Sequence, residues 1–272
     1  MKILTPTGGF LEGYAYSLNP YIGCMFGCAY CYVRKLPVAL FRNKPWGSWV
    51  EGKREAASRI GKELAAAKRK GPVTIFMSSS TDPYQPAEYK ERLTRALLAA
   101  MADNPPDFLF VQTRSPLVTR DLDLLRQFGD RILVSITIET DREDVRRAFT
   151  PSAPPLAARF RALQAVRDAG IPCQAAVAPV LPFSGRFASR LAACTDRVTV
   201  DDYELGDGSG GRRSRQLGLE RIYASLNEPD PYSPWRRERL WAQLEQIFSP
   251  QALFLSREGF LPPGSSDRPQ SR

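Results

Sequence analysis

The sequence predicts an α/β fold in which a parallel sheet carries helices on its outer face. Three observations point there. Short runs rich in Val, Ile and Phe alternate with longer amphipathic stretches along most of the chain. The short runs show little polar alternation, the pattern of strands buried on both faces. Gly and Pro punctuate the passages between them, as in Gly71-Pro72 and Gly170-Ile171-Pro172. Repeated strand–loop–helix units of this kind build a parallel sheet by right-handed crossovers.

The elements follow in order. A first strand precedes Asn19-Pro20. A helix spans 51–69 and stops at Gly71-Pro72, and a strand runs over 73–78. Helix 87–101 leads to strand 108–113, helix 120–128 to strand 131–138. Helices 142–148 and 155–169 precede strand 173–180, and helix 187–193 precedes strand 197–205. About six units fit before residue 210, too few for an eight-unit barrel. Residues 1–210 are therefore expected to form the core. Residues 211–272 form an extension packed on it, with a helix at 234–248 and a frayed tail from Pro262. The Gly-, Ser- and Arg-rich stretch 206–215 reads as a mobile loop.

Composition narrows the chemistry. The 272 residues hold five cysteines and no histidine. A Ser-His-Asp triad, a His-ligated zinc and a proximal-His haem are thereby excluded. The N-terminal residues lack a signal-peptide apolar run, and no stretch is apolar enough to span a membrane. An odd cysteine count, with three crowded into eight residues, suits a metal in a reduced cytosol better than disulfides, so a cytoplasmic location is expected.

The 38 Lys and Arg against 29 Asp and Glu give +9. These charges gather in 53–70, on Arg212, Arg213 and Arg215, and on Arg236, Arg237 and Arg239. With Trp46, Trp49 or Trp235 as stacking surfaces, they make nucleic acid a candidate partner. Glu51, Glu55 and Glu63 interleave the first cluster, which favours a merely solvated surface.

The sharpest motif is Cys24-Met25-Phe26-Gly27-Cys28-Ala29-Tyr30-Cys31, a C-x3-C-x2-C spacing. Three thiolates in one loop can hold three irons of a [4Fe–4S] cube, leaving the fourth open to another ligand. A structural zinc would need a fourth donor, which only Cys173, Cys194 or a carboxylate could supply. Both of those cysteines lie in apolar surroundings and read as small core residues.

C-x3-C-x-aromatic-C, with Tyr30 as the aromatic, resembles the signature of radical S-adenosylmethionine (radical SAM) enzymes. The flanking LNPYIGCMFGCAYCYVR resembles the branch that contains spore photoproduct lyase. The likeness continues through 78–88, 111–125, 134–140, 149–172 and 176–183. It implies a partial (β/α)6 barrel of TIM-like type, here with a C-terminal helical extension. It also implies a [4Fe–4S] cluster on Cys24, Cys28 and Cys31, with S-adenosylmethionine at the open iron and an external electron donor of flavodoxin or ferredoxin type. Cofactor contacts would fall to Tyr30, Thr81, Asp82, Arg114, Ser135, Thr137 and Ala178, with Tyr32, Glu139, Pro179 and Val180 beside them. The implied reaction is reductive cleavage of the cofactor to a 5′-deoxyadenosyl radical that acts on an unidentified substrate. Spore photoproduct lyase carries a hydrogen-donating cysteine where this chain has Ser79, and a serine O–H is too strong a bond to replace it. A lesion-processing lyase acting on DNA or RNA stands as one alternative, and a non-catalytic zinc or iron–sulfur module as a second.

Overall fold

The computed structural model describes residues 2–265. The end of the expected frayed tail, 266–272, lies outside the described residues. Strand β1 (Leu4–Pro6) is an antiparallel edge on β2 (Tyr16–Leu18), the strand expected before Asn19. A two-stranded ribbon follows, β3 (Tyr21–Ile22) with β4 (Glu51–Gly52). The main sheet continues through β5 (Thr74–Met77), β6 (Phe108–Thr113), β7 (Ile132–Thr137), β8 (Cys173–Val177), β9 (Val198–Val200) and β10 (Leu253–Leu255). Its order is β1-β2-β5-β6-β7-β8-β9-β10, and every pair beyond β1 is parallel. The sheet is an open, partial barrel. Its strand β10, donated by the C-terminal extension, was not legible in the sequence.

Helices α1 (Pro37–Leu40), α2 (Ala56–Lys68), α3 (Pro86–Glu91), α4 (Leu93–Ala102) and α5 (Leu122–Leu125) come from the first half of the chain. Helices α6 (Glu143–Phe149), α7 (Leu156–Asp168), α8 (Phe187–Ala192), α9 (Tyr203–Gly206), α10 (Arg212–Arg215), α11 (Glu220–Ser225) and α12 (Trp235–Leu244) complete the set. Among the described residues no helix is long and apolar enough to cross a membrane.

The differences from the expected elements have local causes. The helix expected over 51–69 starts at Ala56, because Glu51 and Gly52 pair in β4. The helix expected over 87–101 breaks at Arg92, which takes a left-handed φ of 52°. Buried Glu88 caps the second half by accepting from the Thr94 and Arg95 amides at 2.9 and 3.3 Å. The 120–128 helix is mostly 3-10 turns around α5. Strand β8 stops at Val177, before the cis Ala178–Pro179 bond, since proline has no N–H for a ladder. Strand β9 stops at Val200, because Asp202 caps α9 through the Glu204 and Leu205 amides.

The stretch 206–215 is not an open loop. The Asp207 carboxylate accepts from the Ser209, Gly211 and Ser214 amides, closing it into a compact turn that leads into α10.

Alternation along the strands builds two cores. Ile75, Met77, Leu109, Val111, Val134 and Ile136 face the helices, and Leu64, Leu97 and Leu163 meet them from that side. Phe76, Phe110, Leu133 and Ala176 face inward, where Tyr14 and Phe260 fill the barrel. A third cluster packs Phe149, Tyr203, Leu219 and Tyr223 beneath the cysteine loop. Cys194 is buried in the outer core and Cys173 packs at its margin, as small apolar residues.

Two glycines in contact set the shape of the cysteine loop. Gly27 and Gly47 both have positive φ (57° and 101°), and a Cβ added at Gly47 would stand 2.8 Å from the Gly27 Cα. Gly47→Ala is expected to cost ~1–3 kcal/mol, read as a lower Tm. Gly61→Ala, on the exposed face of α2 where an added Cβ meets nothing, is expected to gain up to about 1 kcal/mol in the same assay.

Candidate active site at the carboxyl ends of the strands

A cavity of about 250 Å³ opens at the carboxyl ends of the parallel strands, the usual place for a site in such a barrel. Cys24, Cys28 and Cys31 border one side, and Phe76 and Phe260 border another. Of the residues singled out in the sequence, Tyr30, Thr81, Asp82, Arg114, Thr137 and Ala178 also line it. Ser135 does not. It is fully buried, and its hydroxyl accepts from Gln174 Nε2 at 3.1 Å within the barrel.

The cysteine loop is clamped at both ends by residues that sequence reasoning missed. Gln85, wholly buried, accepts from the Met25 amide at 2.9 Å and donates to the Gly23 carbonyl at 3.1 Å. Arg34 donates to the carbonyls of Gly27 and Cys28 at 2.6 and 3.0 Å. All three loop cysteines are free thiols. Burial pushes each thiol up, Cys31 to about 11. No three His, Cys, Asp or Glu side chains among the described residues converge to hold a single metal ion. The thiols border a space instead of meeting at a point.

Behind them lies a buried charge centre. Glu139 is 1% exposed and sits just past β7. Its Oε2 accepts from Arg159 Nη1 at 2.6 Å, and its Oε1 accepts from Arg114 Nη1 at 2.5 Å and from the Tyr30 hydroxyl. Arg114 Nη1 also donates to the Tyr30 oxygen at 2.5 Å. Burial alone would push the Glu139 carboxyl up, but the Arg159 and Arg114 guanidiniums hold it below its ordinary value. Glu139 does not line the cavity; it fixes Tyr30 and Arg114, which do.

Asp82 ties two strand ends together. Its Oδ1 accepts from the Tyr84 amide and the Thr113 hydroxyl at 2.9 and 2.7 Å, and its Oδ2 accepts from the Arg114 amide at 2.8 Å. Thr81 and its neighbours hang on Asn19, a third missed residue. The Asn19 Oδ1 accepts from the Ser80 amide and hydroxyl, and its Nδ2 donates to Ser79 Oγ at 3.2 Å. The low information content of a lone Asn or Gln hid both from sequence reading. The Thr137 hydroxyl accepts from Gln112 Nε2 at 2.5 Å.

Part of each basic cluster is engaged within the chain. Arg54 pairs with Glu91, Arg237 with Asp202, and buried Arg236 lies over the Tyr223 ring. Arg213 and Arg215 donate to the Asp207 and Gly210 carbonyls. Trp46 and Trp49 are buried edge-to-face against each other, which leaves Trp235, about half exposed, as a stacking surface.

On the far wall, Asp201 is buried and burial pushes its carboxyl up to about 8. Ser256 and Arg237 lower it and Asp202 raises it, but burial dominates. An unfolded Asp titrates near about 3.9. Between those values the folded chain holds a proton that the unfolded chain has lost, so stability falls as pH rises across the window. Urea unfolding at pH 5, 6.5 and 8 is expected to show this fall, approaching ~1.4 kcal/mol per pH unit at most, with Asp201→Asn flattening it. Glu139→Ala leaves two buried guanidiniums without their anion. A loss of about 3–5 kcal/mol is expected, measured by the same unfolding assay at constant pH.

The model of the radical SAM superfamily matches residues 18–183. An uncharacterized protein from Methanocaldococcus jannaschii is 33% identical over 181 residues, covering 66% of this chain and 65% of its own. One from Acidianus two-tailed virus is 33% identical over 177 residues, covering 61% and 56%. One from Mycobacterium tuberculosis is 30% identical over 238 residues, covering 81% and 69%. The chain thus spans less than two thirds of the length of the first two. Among solved structures, a spore photoproduct lyase mutant superposes with a TM-score of 0.62 at 15% identity, over 93% of this chain and 79% of that one. Streptococcus suis SuiB bound to the precursor peptide SuiA gives 0.54 at 13% identity, over 88% and 48%. At such identities the likeness is one of fold. Family match and fold agree: the chain belongs to the radical SAM superfamily, whose members use a [4Fe–4S] cluster and S-adenosylmethionine.

Proposed function

We propose that the chain is a radical SAM enzyme whose cluster is held by Cys24, Cys28 and Cys31. One observation carries the reading: three free thiols border the same cavity as the strand-end residues, and among the described residues no set of His, Cys, Asp or Glu side chains converges on one point as a closed metal site needs. A closed tetrahedral zinc site needs a fourth donor at one point; an open iron–sulfur site does not. The donor chemistry therefore fits the cluster and disfavours the zinc module. When bound, the cluster and cofactor supply reductive cleavage of a sulfonium to methionine and a 5′-deoxyadenosyl radical, with the electron coming from an external flavodoxin- or ferredoxin-type donor.

The chain's own residues orient and shield that chemistry. Glu139 balances one guanidinium charge and holds the Tyr30 ring beside the cysteines. Only Nη1 of Arg114 is engaged by Glu139 and Tyr30, so its other N–H groups serve an anionic carboxylate. Asp82 is a positioning residue, since both its oxygens are taken by the chain. Thr81 and Thr137 offer hydroxyls, and Ala178 with Pro179 offers an apolar wall. Burial of Cys24 and Cys28 shields the loop side from water. Ser79 lines the cavity where a thiol would be needed to return a hydrogen atom, which argues against dimer repair by the spore photoproduct lyase route. The engaged arginines count against the nucleic-acid reading as well.

The test is anaerobic reconstitution with iron and sulfide. A brown protein that releases 5′-deoxyadenosine under a strong reductant is expected. Cys28→Ala is expected to lose both the visible absorbance and the product while keeping its far-UV circular dichroism. A colourless wild-type protein that retains one zinc would overturn the proposal.

A further inference from the structure

Two polar groups on the cavity wall have no partner among the described residues. Ser78 is 5% exposed, lines the cavity, and its hydroxyl bonds to nothing. Its backbone takes a φ of +75°, pinned by its amide on the Leu18 carbonyl at 2.8 Å. A serine gains nothing from that conformation, which glycine adopts without strain. What the side chain adds is a buried hydroxyl, without a partner, at the cavity wall. Gln112 also lines the cavity. Its Nε2 is fixed on Thr137, and its Oε1 is left buried and unpartnered. Buried polar atoms without partners cost free energy, and in native structures they mark a missing ligand or water.

The strands bring the two together. β5 and β6 pair with Met77 opposite Val111, so Ser78 and Gln112 stand side by side as the next residues along. Neighbouring strands are about 4.8 Å apart. Two residues earlier on the same strands, the Phe76 and Phe110 rings stack at 4.7 Å and 18°, and Phe260 meets Phe110 at 5.9 Å. Phe76 and Phe260 thus form an apolar floor beside the polar pair.

We propose that Ser78 and Gln112 form a substrate subsite for a flat, uncharged ring whose edge carries an N–H donor beside a carbonyl, a lactam or imide. Gln112 Oε1 can only accept, so the ligand must donate to it. The Ser78 hydroxyl then donates to an acceptor next to that donor. The phenyl floor favours a planar apolar body, and neither atom of the polar pair carries a charge that would call for a charged ligand. As a substrate subsite the assignment rests on the function proposed above; the contact chemistry does not.

The probes are 2-pyridone, a planar lactam, and N-methyl-2-pyridone, the same ring without the N–H. They are titrated into cluster-free protein by saturation-transfer NMR. Binding of 2-pyridone is expected to be at least tenfold tighter than that of its N-methyl analogue. Gln112→Leu and Ser78→Gly are each expected to weaken it about tenfold. Ser78→Gly is also expected to melt above the wild type, because it relieves the strained backbone; a purely structural serine would not couple higher stability to lost binding. Equal affinity for the two probes, or unchanged binding in Ser78→Gly, would refute the subsite. So would displacement of 2-pyridone by S-adenosylmethionine, since the pair would then belong to the cofactor. These arms need no cluster, so their failure is distinct from a failure of the wild type to release 5′-deoxyadenosine.

Discussion

One buried carboxylate holds the site together. Glu139 joins three parts of the chain that are far apart in sequence: the cysteine loop through Tyr30, the end of β6 through Arg114, and α7 through Arg159. A buried anion is costly unless paired, so the carboxylate cannot be satisfied until all three partners are in place. That requirement makes the loop conformation a consequence of the barrel. The loop's other anchors, Gln85 and Arg34, bond to backbone groups, Arg34 reaching the Trp46 carbonyl as well as the loop. They shape the loop, but neither pairs it with a carboxylate on the strands.

The same economy of buried polar groups orders the rest of the rim. Asp82 takes three donors from Tyr84, Thr113 and Arg114, and so locks the ends of β5 and β6 in register. Asn19 does the same between β2 and the 79–81 turn. Each is a short polar side chain at a strand end, where backbone groups lose their ladder partners and need others. The rim is thus held by hydrogen bonds from short polar side chains, while aromatic rings pack the layer beneath it.

Much of this was legible in the sequence because it depends on local pattern. The buried strands announced themselves as apolar runs, β6 with its boundaries unchanged. The cysteine loop announced itself by spacing. What failed depends on long-range partners. The break at Arg92 follows from a buried Glu88 that caps the next helix, and no window around Arg92 reveals that. The turn at 206–215 looked mobile by composition, yet it closes on the single carboxylate of Asp207. Ser135 looked like a cofactor contact because it alternates with Thr137, but its register partner Gln174 claims the hydroxyl first. Strand β10 is three residues long and pairs with an element more than fifty residues away, beyond any periodicity signal.

The open barrel divides the cavity wall between the matched stretch and the two ends of the chain. Seven parallel strands with one antiparallel edge do not close, and the gap must be filled for the interior to stay dry. Both ends of the chain fill it: Phe10 and Leu11 from one side, Phe260 from the other, all at the cavity. These residues, with Asp201, lie outside the 18–183 stretch that matches the superfamily. The matched stretch supplies the cysteine loop and the strand ends around Asp82, Arg114 and Thr137. The unmatched ends supply much of the floor and far wall. On the function proposed above, the matched stretch would hold the cofactor while the termini shape what the cavity admits. Phe10 and Phe260, on either side of the gap, stand with the polar pair on the wall of that cavity.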